Sequence, residues 1–380
     1  MANETMWQKI KHIKNKEQIL FWLGLIIMVA ATAIETLRGR ASNYYVYSDA
    51  TSMFWHGLTP YTQQFITDHG RYFLYTPVFT TLYAPILLLP KWLGPFAWNG
   101  MLYALMVTAI RTLPGEVNKY RTKIFGFLLL LIVQGTFCFQ YNLVVCALFL
   151  LAFTLLERNK PLWAVLLIMI SATTKIYGGI ELALLLCYPK MWRNLGAAVL
   201  MGVGLLLLPA LNPMFEHPLD LYRQMGEMLT QHGDSGTWAG LLFAPVLRDV
   251  LLPNMRAIQL GVLAVLAAIF FWKYRLWNNY RFRVTALAVM MGYVILFSDS
   301  PETHTYLIAL AGYQMVFWLQ PKRTTIDWVI FWLLFVNFCI FPVDALCPVA
   351  VYKFFHNNFW FDIYCMTLAW VRMVWAVVKA

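Results

Sequence analysis

The sequence predicts an all-α, multi-pass membrane protein with about 12 transmembrane helices, and three observations carry that expectation. Hydrophobic residues make up 61% of the 380-residue chain and charged residues only 12%, too little polar surface for a soluble domain. The apolar residues are gathered into runs near 19–37, 93–110, 124–138, 141–156, 162–174, 178–188, 195–211, 255–272, 282–297, 305–320, 326–342 and 359–377. The basic residues between those runs fall unequally, 20 in alternate loops assigned to the cytoplasm and nine in the others, which is the positive-inside bias. No loop is long enough to fold alone, so residues 1–380 read as one membrane domain. A net charge of +11 raises the question of nucleic acid. Most of the lysines and arginines sit in short loops between apolar runs, so they report topology and no nucleic-acid partner is expected.

Taken in order, Lys9, Lys11, Lys14 and Lys16 hold the N-terminal segment in the cytoplasm, and the first run acts as an uncleaved anchor. The first outer loop, about 38–92, follows. Asp49 is succeeded at helical spacing by Met53, Phe54 and Gly57, which predicts a short interfacial helix starting at the aspartate and stopped by Gly57, Thr59 and Pro60. Thr76–Pro90 is apolar but only 15 residues long, and it holds Pro77, Pro85 and Pro90. As a helix it reaches roughly 22 Å, short of the ~30 Å hydrocarbon core. Had it crossed, every later basic loop would be inverted, so it is taken as re-entrant or interfacial, with both termini inside. The 178–188 run is short, which predicts a broken or tilted helix. Residues 212–254, with Trp238 and Phe243, are expected as short helices over the outer face. The six cysteines show no paired spacing, and no disulfide framework is predicted.

With that topology, polar residues from distant parts of the chain gather at the outer face. The first loop brings Asp49, His56, Asp68, His69 and Arg71; the turn after the third run brings Gln140 and Asn142. Lys175 ends the fifth run, and the following Ile-Tyr-Gly-Gly should break the helix there. A lysine at that depth either snorkels to the headgroups or meets an anionic headgroup as a point charge. Glu181, six residues on, is a rival partner for it. His304 stands beside Glu302, Asp299 and Tyr306 in a late outer loop, where it is either a plain loop histidine or a donor to a phosphate. Gln140 and Asn142 either satisfy turn backbone or bind substrate. No Gly-rich phosphate loop, Ser-His-Asp order or zinc signature appears, and without an Asp-x-Asp pair in the first loop no obligatory metal or cofactor is expected.

These pieces resemble the membrane glycosyltransferases of the C fold class, and among them glycosyltransferase family 87, the polyprenyl-phosphate-mannose-dependent mannosyltransferases. The likeness rests on Asp49, then Gly57-Leu-Thr-Pro60-Tyr61, then Tyr75-Thr-Pro77, in the family's order. Gln140-Tyr-Asn142, Lys175 with the later Trp192-Arg193 turn, and His304-Thr-Tyr306 continue it. Phe139 stands where a glycine usually precedes the glutamine, and Gly178 where a proline usually follows the lysine.

The resemblance implies an inverting hexosyltransferase, with mannose the expected sugar. The donor would be a polyprenyl-phosphate-linked sugar and the acceptor a cell-envelope glycan or glycolipid on the outer face of the plasma or inner membrane. It assigns Asp49 as general base; Lys175, His304, Arg71 and Arg256 are placed to meet the phosphate. His56, Tyr61, Tyr75, Gln140, Asn142, Glu302 and Tyr306 are weaker substrate-binding candidates. A transporter or flippase of lipid-linked saccharides is the rival reading. Such proteins carry polar groups at the membrane midplane, commonly within inverted repeats. Here they gather at one face and no repeat is visible.

Overall fold

The computed structural model describes residues 16–232, 254–297, 303–343, 346–359 and 361–380. Among them every regular element is helical. The first long helix, α1 (Lys16–Leu37), turns at Gly39 into α2 (Ser42–Trp55), α3 (Gln63–His69) and α4 (Pro77–Leu87). Then come α5 (Gly94–Arg111), α6 (Arg121–Phe137), α7 (Asn142–Glu157) and α8 (Pro161–Lys175), with a 3-10 segment at Tyr177–Cys187. They are followed by α9 (Met191–Leu206) and α10 (Asp220–His232), then α11 (Met255–Trp272), α12 (Tyr280–Leu296) and α13 (Tyr306–Leu319). The chain closes with α14 (Thr325–Phe335), extended by a π-helical turn at Val336–Ile340, then α15 (Val349–Phe359) and α16 (Phe361–Lys379). Each apolar run in the sequence falls on one of these helical segments.

Among the described residues, four stretches are long and apolar enough to cross a membrane by themselves: Lys16–Leu37, Met191–Leu211, Met255–Trp272 and Phe361–Lys379. The other apolar helices are mostly shorter and pack around the middle. Almost every residue of α7 and α13 is buried, and α12 packs between α13 and α16. By contrast α1, α9 and α11 turn large apolar side chains outward, among them Trp22, Ile26, Val199, Leu200, Leu260 and Val265. That is the distribution of a bundle whose rim meets lipid, where apolar exposure carries no cost.

The ion pairs sort the loops into two ends. Glu17 holds Arg121 at 2.7 Å and Arg111 at 3.4 Å; Glu116 holds Arg281 at 2.8 Å. Glu157 takes both Nε and Nη2 of Arg283, at 2.6 and 2.9 Å, plus the Tyr188 hydroxyl. Asp327, whose carboxylate also closes a capping box with Thr324, holds Arg372 at 2.8 Å. All of these residues belong to loops or helix ends assigned to the cytoplasm. The remaining described pairs, Asp49–His69, Asp220–Arg223–Glu227 and His356–Asp362, lie at the opposite end. Because Arg111 at the end of α5 meets Glu17 at the start of α1, the stretch between those helices begins and finishes at one end. Helix α4 therefore belongs to a stretch that leaves and returns at one end of the bundle. Its 11 residues rise roughly 16 Å, about half the hydrocarbon thickness. Of the segment between Asn212 and Asn254, α10 is an amphipathic helix as expected, while Trp238 and Phe243 lie outside the described residues. All six cysteines are free.

Candidate active site

The site is assembled from the first loop, the α6–α7 turn and the end of α8. Gly57 adopts φ +76°, a left-handed conformation that turns the chain out of α2, and a Cβ there would meet Met214 at 3.1 Å. Pro60 and Tyr61 follow, and the Tyr61 hydroxyl donates to the Tyr75 carbonyl at 2.8 Å. The Gly-x-x-Pro-Tyr and Tyr-x-Pro runs thus hold one another. Tyr47 and Tyr75 share a hydroxyl hydrogen bond of 3.0 Å, and their rings sit with Phe79, Tyr83, Trp98 and Tyr141 in one aromatic cluster. Thr76 then clips the loop to α8: its amide donates to the Thr174 carbonyl at 3.3 Å and its hydroxyl to the Thr173 carbonyl.

The α6–α7 turn shows why its departure from the family pattern is tolerated. Phe139 takes φ +54°, where glycine is the natural residue. Its side chain is wholly buried against Tyr44, and its carbonyl accepts from the Trp98 indole at 3.2 Å. Ring packing offsets a backbone cost of about 1–2 kcal/mol. The neighbouring Cys138 carbonyl accepts from Asn43 at 2.7 Å, and the Asn43 side-chain oxygen accepts from Arg71 at 2.9 Å.

Lys175 is the last residue of α8, and the helix does break there, into the 3-10 segment. Its ammonium donates to the Asn142 side chain at 2.6 Å and lies 5.6 and 4.9 Å from the Tyr75 and Tyr177 ring centroids. The expected rival partner, Glu181, is buried within the bundle, and neither of its oxygens has a hydrogen-bond partner among the described residues. It does not neutralise Lys175.

These elements enclose a cavity of about 1540 Å³. Of the residues singled out in the sequence, Arg71, Tyr75, Gln140, Lys175, Arg256 and His304 line it. Asn142 reaches it through Lys175, and Tyr61 through Tyr75. His56 is exposed and bonded to its own helix, through the Ser52 carbonyl at 2.7 Å. Tyr306 is a core residue packed on Phe338, and Glu302 lies outside the described residues. Ile176, Ile180, Leu260, Leu263 and Val294 give the same cavity an apolar wall.

Asp49 departs from expectation. It sits in the middle of the 14-residue α2 rather than at its start. The reversal at Gly39 lets the new helix begin at once, and the favourable dipole of the first turn does not reach Asp49. Its carboxylate is 57% exposed and bonded to His69 Nε2 at 2.9 Å. His69 Nδ1 faces the Phe65 carbonyl at 2.9 Å. Asp49 is not itself part of the cavity wall, but Val46 and Tyr47 precede it there, and Gly70 and Arg71 follow its partner.

The structure adds residues that sequence reasoning missed: Glu35, Arg40, Asn43, His356 and Asp362 all line the cavity. For Glu35 the available signal was a carboxylate near the end of an apolar run; for Asp362, one at the start of the last. Among the described residues no group of three or more His, Cys, Asp or Glu side chains is arranged to hold a metal ion.

The family model for glycosyltransferase family 87 matches residues 73–298, more than half of the chain. No curated protein and no solved structure matches it. The matched stretch takes in Tyr75, Gln140, Asn142, Lys175 and Arg256; Asp49, His304 and Asp362 lie outside it.

Proposed function

The chain belongs to glycosyltransferase family 87, and on that premise we propose that it is an inverting, polyprenyl-phosphate-sugar-dependent hexosyltransferase of the C fold class. Mannose is the proposed sugar, and the acceptor a glycan or glycolipid on the outer face of the plasma or inner membrane. The observation that supports this reading is the mixed lining of the 1540 Å³ cavity. Lys175, Arg71, Arg256 and His304 share it with an apolar wall, a combination suited to a phosphate carried on a hydrocarbon chain. Membership of a glycosyltransferase family weighs against the transporter reading.

In the proposed reaction an acceptor hydroxyl oxygen attacks the anomeric carbon from the face opposite the phosphate. The bond from that carbon to the phosphate oxygen breaks, and its electron pair leaves with the lipid phosphate. The hydroxyl proton passes to the Asp49 carboxylate, which stands beside the cavity wall. Negative charge grows on the departing phosphate, and Lys175 with His304 meets it there. No metal takes part in this scheme.

The test is incubation of purified protein with polyprenyl-phosphate mannose, following release of polyprenyl phosphate. Release that survives chelator and is accompanied by weaker donor dependence in Lys175→Ala is the expected result. Complete loss of release in chelator would overturn the metal-free scheme. No release from any polyprenyl-phosphate hexose would overturn the donor.

A further inference from the structure

Asp362 lies at the second position of α16, beyond the family-matched stretch, and faces the same cavity. It is 9% exposed, and its Oδ1 is buried with no hydrogen-bond partner among the described residues. Its ion-pair partner is His356, whose Nδ1 stands 3.5 Å from that oxygen. That is an ion-pair separation longer than a well-formed hydrogen bond. His356 also lines the cavity and stacks on Tyr352, with ring centroids 5.3 Å apart. The start of a 19-residue helix favours negative charge at Asp362.

A buried carboxylate oxygen with one long contact and no well-formed hydrogen bond is costly, so the site favours the arrival of a further donor. A phosphate brings no donor and is repelled. The groups of a saccharide that satisfy a carboxylate are its hydroxyls, and two adjacent ones suit its two oxygens. We propose that Asp362, held by His356, is a saccharide-binding subsite that accepts hydrogen bonds from vicinal hydroxyls of a hexose. It is distinct from the cationic residues that meet the phosphate. The proposal rests on the hexosyltransferase reading and adds to it the residue that recognises the sugar.

The hexose can belong to the donor or to the acceptor glycan, and the two are separable by binding to protein in lipid nanodiscs. The probes are polyprenyl-phosphate mannose, sugar-free polyprenyl phosphate and mannotetraose. Asp362→Asn should weaken one of the two sugar-bearing probes by about 10- to 100-fold, the range of a hydrogen bond to a charged group. Sugar-free polyprenyl phosphate should bind as before. Loss with the mannosyl lipid places the subsite on the donor side; loss with mannotetraose places it on the acceptor side. His356→Gln should lose less than Asp362→Asn, as expected of a positioning residue. Asp362→Glu, carried through the same assays with thermal unfolding alongside, controls for misfolding.

Unchanged binding of both sugar-bearing probes in Asp362→Asn overturns the proposal. So does an equal loss for sugar-free polyprenyl phosphate. Wild-type protein that binds neither polyprenyl lipid would instead fail the donor reading, and the mannotetraose arm alone would then decide for or against Asp362.

Discussion

At Asp49 the structure replaces one physical argument with another. Asp49 does not start a helix; its carboxylate is bonded to the His69 ring at 2.9 Å. Asp49→Asn preserves shape and hydrogen-bonding capacity while removing basicity. Turnover should fall by at least about 100-fold, with thermal unfolding unchanged. Asp68, which only accepts from Gln64 at 2.7 Å on the exposed face of α3, should tolerate the same change. Near-normal turnover in Asp49→Asn would remove it as the base and turn attention to Glu35, a carboxylate that does line the cavity. His356 gives a second residue-scale test. Contact with the Asp362 carboxylate raises its pKa above the ordinary 6.5, against the opposing effect of burial. Since the folded value is the higher one, the pair's stabilisation is full below 6.5 and is lost as pH rises through the raised value. An NMR titration of the His356 ring should show that upward shift, and Asp362→Asn should abolish it; an identical titration in the variant would remove the pair as its cause.

Helix α4 was the element on which the whole sequence-based topology turned. The length and the three prolines of Thr76–Pro90 argued that it does not cross, and the Glu17–Arg111 contact brings the start of α1 and the end of α5 to one place. Cysteines placed at Lys91 and Asn118 in otherwise thiol-blocked protein should be labelled from opposite sides of the membrane, Lys91 from outside. Labelling of Lys91 from the cytoplasm alone would invert the topology from there onward. The break after Lys175 was equally legible, because Ile-Tyr-Gly-Gly cannot extend a helix well. The start of α2 was not: its stretch is rich in tyrosines and weakly amphipathic, so nothing local marks Ser42 as the first turn. The strained Phe139 was visible only as a missing glycine, since the Trp98 and Tyr44 contacts that hold it come from far along the chain.

Over the whole molecule, charge alternation and apolar runs were enough to outline the bundle and to bring Lys175, Arg71, Arg256 and His304 to one face. Where the carboxylates point depended on helix rotation, which composition does not encode. That is why Asp362 went unremarked as a wall residue, whereas Asp49 was misplaced because the start of α2 carries no local mark. Each described acid assigned to the cytoplasmic side holds an arginine. At the other end Glu35 and Asp362 are left to face a cavity. Helix α11 has only Met255 and Phe270 buried along its 18 residues, yet Arg256, Gln259, Leu260 and Leu263 line that cavity. Among the described residues, this thinly supported helix stands between the charged interior and the surrounding acyl chains. For a substrate dissolved in those chains, encounter is a two-dimensional search within the leaflet. The governing concentration is then a mole fraction among lipids, so diluting the donor with inert phospholipid slows the reaction even when the amount of donor per volume is held constant.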